Sequence, residues 1–217
     1  MPPKENLMKK LILAVALVFM MAPLASALTY TGSLMSPSGV NAYGYWGEMG
    51  FKISWQIEDQ ADGSWLYKYW LTDAKDNPWT TAEVSHFTLE ISPNAAESDF
   101  WFDNQDNLPG DLEFGSMDGL GSAMKMDWGA TEYSFYSWKS PVWGDFYAKD
   151  GYAQSDVLNE AYNAGFSNPD PMDGPANGSI GNKILRPDTD SVIPEPGTML
   201  LMGLGLAGAG IVRKIRK

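Results

Sequence analysis

The chain has one histidine and no cysteine, so the side chains that carry most acid–base, thiol and zinc chemistry are nearly absent. The histidine, His86, follows Ser85 within the run Val84–Ser92. A Ser/His/Asp hydrolase would need its nucleophile and its acid brought to that imidazole by the fold, and no G-x-S-x-G elbow accompanies it. In an alternating strand His86 points away from the face of Phe87, Leu89 and Ile91, which gives it a structural or solvent-facing place. Oxygen donors are plentiful. Asp99, Asp103, Asp106, Asp111, Glu113 and Asp118 share one stretch, and calcium takes oxygen ligands from flexible loops. Asp103, Gln105 and Asn107 break the EF-hand spacing at its second ligand, so solvated loop charge is the simpler reading. A glycosidase would need two carboxyl groups opposed at ~5–9.5 Å, which spacing along a chain cannot display. The expectation is a non-enzyme without a metal site or cofactor, with calcium as the alternative.

Aromatic side chains offer a different chemistry, stacking on sugar rings. Trp70, Trp79, Trp101, Trp138 and Trp143 are the candidates, and core packing is the simpler role for most of them. Trp70 stands out because its parity opposes that of Trp65, Tyr67 and Tyr69, which leaves it on the outer face as a possible ligand platform. A carbohydrate-binding or adhesive module is therefore the alternative to a purely structural protein, ahead of a secreted glycan hydrolase. Asn177-Gly178-Ser179 is an N-glycosylation acceptor pattern in a loop.

The elements that must position these groups read as strands. Phe51, Ile53, Trp55 and Ile57 alternate with polar residues, a turn follows at Asp59–Ser64, and Trp65, Tyr67, Tyr69 and Leu71 resume the period of two. That is a hairpin. Val84–Ser92 gives a third strand ended by Pro93, and Met124/Met126/Trp128, Tyr133/Phe135 and Pro141–Gly151 give more. Asn94–Gly121 shows few clear strands, and Val157–Phe166 reads as a helical turn or loop. Seven to nine short strands with frequent turns argue for an all-β, antiparallel β-sandwich, jelly-roll-like. Leu28–Ile193 carries 8 Lys/Arg against 25 Asp/Glu, a net charge of −17, which repels nucleic acid. All nine Trp and all ten Tyr lie in this segment, and packing must supply the stability that no disulfide can.

Both flanks are apolar and basic. Lys4, Lys9 and Lys10 precede the run Leu11–Met21, and Ala25-Ser26-Ala27 has cleavage-site spacing, so residues 1–27 read as a secretory signal helix cut after Ala27. Residues 28–187 form the exported domain and 188–193 a linker. Residues 194–217 then run from Pro194-Glu195-Pro196-Gly197 through the uncharged Thr198–Val212 to Arg213, Lys214, Arg216 and Lys217. Those fifteen apolar residues would reach roughly 22 Å as a helix, short for a hydrocarbon core of ~30 Å, but the basic end can absorb part of the mismatch. The positive-inside rule holds both basic ends in the cytoplasm and exports what lies between.

The order Pro-Glu-Pro, Gly-rich apolar helix and basic cluster resembles the C-terminal sorting signal of PEP-CTERM proteins, substrates of the membrane protease and transpeptidase exosortase. Segments Gly63–Tyr69, Val84–Ser92 and Pro141–Lys149 also resemble the exported domain of one group of exosortase-sorted proteins. The resemblance implies a bacterial surface or matrix protein associated with exopolysaccharide and biofilm. It would use the export machinery, lodge transiently in the inner membrane through a short transmembrane helix, and pass to the cell surface or outside. An ordinary single-pass anchor is the alternative for the tail.

Overall fold

The computed structural model describes residues 27–79, 84–102, 111–127, 129–150 and 158–188. Thirteen strands fall among the described residues, more than the seven to nine expected. β1 (Thr29–Met35), β3 (Phe51–Asp59), β4 (Trp65–Asp73), β9 (Glu132–Ser137) and β6 (Phe100–Trp101) form a five-stranded sheet in the order β1-β3-β4-β9-β6. β2 (Val40–Tyr43), β12 (Glu160–Asn163), β11 (Phe146–Asp150), β5 (Val84–Glu90), β8 (Leu120–Asp127) and β7 (Asp111–Met117) form a six-stranded sheet in the order β2-β12-β11-β5-β8-β7. β10 (Pro141–Gly144) and β13 (Ile184–Pro187) make a separate ribbon. All pairings are antiparallel. The described residues are mostly β and antiparallel, in line with the all-β class that the alternation predicts.

The period of two sorts the side chains. Phe51, Ile53, Trp55 and Ile57 of β3 and Tyr67, Tyr69 and Leu71 of β4 are all buried, and their polar neighbours face out. The apolar faces of the two sheets meet through Tyr69–Phe87 (ring centroids 5.4 Å), Phe87–Tyr133 (4.9 Å) and Phe51–Phe146 (6.4 Å). Each buried ring removes on the order of 150–250 Å² from water, which supplies cohesion in a chain without disulfides. A five-residue helix, α1 (Tyr45–Met49), plugs one side with the fully buried Trp46, 4.9 Å from Phe51 and 5.9 Å from Trp79.

Two stretches differ from expectation. Asn94–Gly121 holds a 3-10 turn (Glu97–Asp99), β6 and the whole of β7. β7 pairs with β8 across the two-residue turn Asp118-Gly119, where both residues have positive φ (52° and 82°). Asp-Gly is the favoured pair for such a type I′ hairpin, because its twist matches that of the strands. The bulge between Gly115 and Met117 breaks the alternation that would have disclosed β7. Val157–Phe166 contains the strand β12, not a helical turn. Its inward residues are Ala161 and Asn163, too small or too polar to announce a buried face. The signal helix, most of the linker and the C-terminal helix lie outside the described residues. Among the described residues no helix is long and apolar enough to cross a membrane.

Candidate functional site

The outer face of the six-stranded sheet assembles a row of rings from four strands. Tyr43 (β2) stacks on Tyr162 (β12) at 6.0 Å, Tyr162 on Tyr147 (β11) at 6.4 Å, and Tyr147 on His86 (β5) at 6.3 Å. Cross-strand pairing sets the row: Tyr147 lies opposite Tyr162, and Lys149 opposite His86. Its hydroxyls are engaged. Tyr43 and Tyr162 share a hydrogen bond of 3.2 Å, and the Tyr147 hydroxyl donates to Glu160 Oε2 at 2.8 Å. The shared bond, with some burial, pushes Tyr162 up to about 12, and burial with the Glu160 contact pushes Tyr147 higher still. Tyr162 and Tyr147 are thus neutral over the ordinary pH range, and Tyr43 is half-exposed at the open end of the row.

His86 closes the other end. Its Nδ1 lies 3.2 Å from Ser85 Oγ, and its Nε2 lies 3.7 Å from Asp118 Oδ2 and is buried without a hydrogen-bond partner. Burial holds the imidazole below its ordinary value, and Lys125 and Lys149 add to that against the pull of Asp118 and Asp127. These groups are a serine, a histidine and an aspartate, but the polarity is not that of a hydrolase. The Ser85 hydroxyl donates to the Lys149 carbonyl at 3.0 Å, and Asp118 Oδ2 accepts from Thr88 Oγ1 at 2.6 Å. The serine hydroxyl is thus directed to a backbone carbonyl, whereas in a triad it would donate to the imidazole that accepts its proton during attack.

A second cluster lies at one end of the inner strands of the same sheet, where β5 and β12 end and β11 begins. Lys183, 1 % exposed, puts Nζ 2.7 Å from Asp145 Oδ1 and 2.9 Å from Asp170 Oδ1. Arg186 reaches Asp170 at 3.1 Å and Glu90 at 3.7 Å, and Gly144 gives it room, because a Cβ there would collide with the Arg186 side chain. Asp145 also accepts from the Asn163 amide at 2.7 Å and the Ser167 backbone at 3.2 Å. Among the described residues, Glu90, Asp145 and Asp170 are the three carboxylates near enough to hold one cation. Two protein cations, Lys183 and Arg186, already pair with them. The Lys183 ammonium is held above its usual value by hydrogen bonds and charge from Asp145 and Asp170, which outweigh the opposing and largest single influence, burial. Burial raises Glu90, against the lowering pull of Arg186.

The expected calcium stretch does not converge among its described side chains. Asp99 accepts from the Ala96 backbone and pairs with Lys139, Glu113 pairs with Lys125, and Asp118 turns to Thr88 and His86. Asp103 and Asp106 lie outside the described residues. Of the tryptophans, Trp79 and Trp143 are core, so they offer no platform. Trp70 is half-buried on the outer face of the five-stranded sheet between Ser54 and Glu132, away from the tyrosine row. Trp101 and Trp138 do come together, 4.9 Å apart, with Trp138 54 % exposed. The tyrosine row escaped the sequence reading because its members sit in strands that are neighbours only after folding. Ala27 is an exposed coil residue, whereas Ala25, Pro194, Glu195, Pro196, Gly197, Arg213, Lys214, Arg216 and Lys217 lie outside the described residues.

The folded body reaches Asp188, whose backbone donates to the Ser140 carbonyl at 2.9 Å and whose carboxylate accepts from Ser92 Oγ at 2.6 Å. No curated protein and no solved structure matches the chain. Residues 192–217, beginning four positions past Asp188, do match a family model, the PEP-CTERM protein-sorting motif. That motif implies exosortase as the processing partner and export with sorting to the cell surface, and the chain carries it over residues 192–217.

Proposed function

We propose that this is a non-enzymatic surface or matrix protein, whose role is to be delivered outside the cell and to contact the exopolysaccharide there. The observation that carries the reading is the sorting motif at 192–217, placed directly after a folded, acidic, disulfide-free body. Residues 1–27 act as a signal peptide cut after Ala27, and 198–212 cross the inner membrane until exosortase cuts near Pro194–Pro196. Prolines on both sides of Glu195 restrict the backbone to extended forms that suit a protease groove. The catalytic residues belong to the partner. The body is read as a jelly-roll-like sandwich, supported by the chain's changes of sheet at β1–β2–β3, β4–β5–β6–β7 and β8–β9. Function needs no cofactor, and the Asp145–Lys183 cluster works as an internal ionic tie in place of a calcium site. The test compares the native host with a host lacking exosortase. The protein reaches the surface or medium in the first and stays in the membrane fraction in the second; equal distribution in both overturns the reading.

A carbohydrate-binding role has its own support in the row Tyr43–Tyr162–Tyr147, which offers ring edges, hydroxyls and the Glu160 carboxylate on one open sheet face. A neutral hexose polymer suits it better than an acidic one, because the body's charge repels polyanions. Retention on host polysaccharide that drops at least tenfold in Tyr162→Ala and is unchanged in Trp70→Ala would support the row; loss in Trp70→Ala alone would move the site to the other sheet.

A further inference from the structure

Trp101, Tyr136 and Trp138 form an aromatic cluster at one end of the outer face of the five-stranded sheet. Glu58, Leu66, Tyr136 and Trp101 are successive partners in one cross-strand row, so the cluster sits where β3 ends and β4 begins. Trp101 stacks on Tyr136 at 5.7 Å with 13° between the rings, and Trp138 lies 4.9 Å from Trp101. Lys139, beside it, pairs with Asp99 at 3.5 Å and Lys68 with Glu58 at 4.0 Å, which offsets part of the acidity that Asp59 and Asp62 bring to this end.

The last described residue also lies here. Asp188 is bound to Ser140, two residues past Trp138. From Asp188 to Thr198, where the apolar run begins, there are ten residue steps, which span at most about 35 Å when fully extended. To Pro194 there are six, at most about 20 Å. A strand of nine residues such as β4 is itself about 27 Å long. With the tail in a bilayer, the body therefore cannot stand off by much more than its own length, and the end nearest the exit is the one beside Trp138.

We propose that the Trp101–Tyr136–Trp138 cluster is a membrane-interface patch that seats the body on the lipid headgroups while the tail is embedded. Tryptophan and tyrosine suit that layer because each has an apolar ring and a polar group. Alone, the patch is too small to hold an acidic protein on anionic lipid, since stable anchoring takes two signals. Removal of the tail thus also releases the body. The inference rests on the tail being a membrane segment, as proposed above.

The chain has no cysteine, so one introduced thiol labels uniquely. The full chain is reconstituted in phosphatidylethanolamine/phosphatidylglycerol vesicles containing a headgroup-nitroxide lipid, with a dye at Ala61→Cys or Lys75→Cys. Both positions are exposed, in the turns at opposite ends of β4. The patch predicts that the dye at 61 is quenched at least threefold more than the dye at 75, and that W101S/W138S in the Ala61→Cys chain brings the two within twofold. Chains that float with the vesicles but are quenched equally at both positions overturn the patch and leave the tail reading intact. Chains that do not float overturn both. Shielding of the dye at 61 by soluble exopolysaccharide, without lipid quenching, assigns the cluster to a glycan and overturns the patch.

Discussion

Lys183 and Glu195 are twelve residues apart, and their charges are used by opposite means. Lys183 is sealed in the body, and its meaning is geometric: it matters because Asp145 and Asp170 come within 3 Å of it from elsewhere in the chain. Glu195 belongs to a motif defined by linear order, in the middle of Pro-Glu-Pro ahead of an apolar run and a basic end, and its role is proposed on that ground. A buried charge needs a complete set of partners or it destabilises the fold. A sorting signal needs only neighbours in sequence and a partner that reads them. The two regions should therefore fail independently, one in stability and one in destination.

The sharpest break between them is Glu195→Ala. We expect processing to be abolished, leaving a full-length membrane-held form on immunoblots, with the melting temperature of the body unchanged; normal processing of this variant would remove Glu195 from the recognition account. Lys183→Met is the mirror image. It leaves Asp145 and Asp170 facing each other without their ammonium and should cost about 3–5 kcal/mol, or roughly 10 °C in thermal unfolding. Molecules that do fold should still be cut at the tail.

A smaller effect follows from protonation. His86 in the folded body has a lowered pKa, so the unfolded chain binds the extra proton first as pH falls. Its contribution is thus full above the ordinary imidazole value of about 6.5 and is lost as pH drops through that value towards the lower folded one. Stability measured by urea unfolding between pH 7.5 and 5 should fall less steeply in His86→Gln than in the parent. An equal slope would mean that Asp118 already compensates the charge. Lys183 runs the other way: its folded pKa is raised, so its contribution is full below about 10.5 and is lost as pH climbs through the folded value. The smallest effect belongs to Tyr162→Phe, which loses one surface hydrogen bond to Tyr43 and should cost about 0.5 kcal/mol.

Legibility followed the same division. β3, β4 and β5 were readable because large apolar residues recur at every second position, as in Phe51, Ile53, Trp55 and Ile57, and only Leu66, Val84 and Thr88 are buried out of that phase. β12 was not, because Asn163 faces inward to serve Phe146 and Asp145 by hydrogen bonds, and hydropathy does not see that role. The Asp118-Gly119 hairpin carried a turn signal that acidic surroundings concealed. The Asp145–Lys183 tie and the tyrosine row depend on pairings between β2, β12, β11 and β5, none of which local spacing encodes. The sorting motif depends on nothing else, and so it could be read directly.

The central claim is that the tail is an address removed after delivery. Intact-mass measurement of the exported protein from its native host tests it most directly. The account predicts a chain that begins at Leu28 and has lost everything beyond the Pro194–Pro196 elbow. An exported, surface-located protein that still contains residues 198–217 would contradict it.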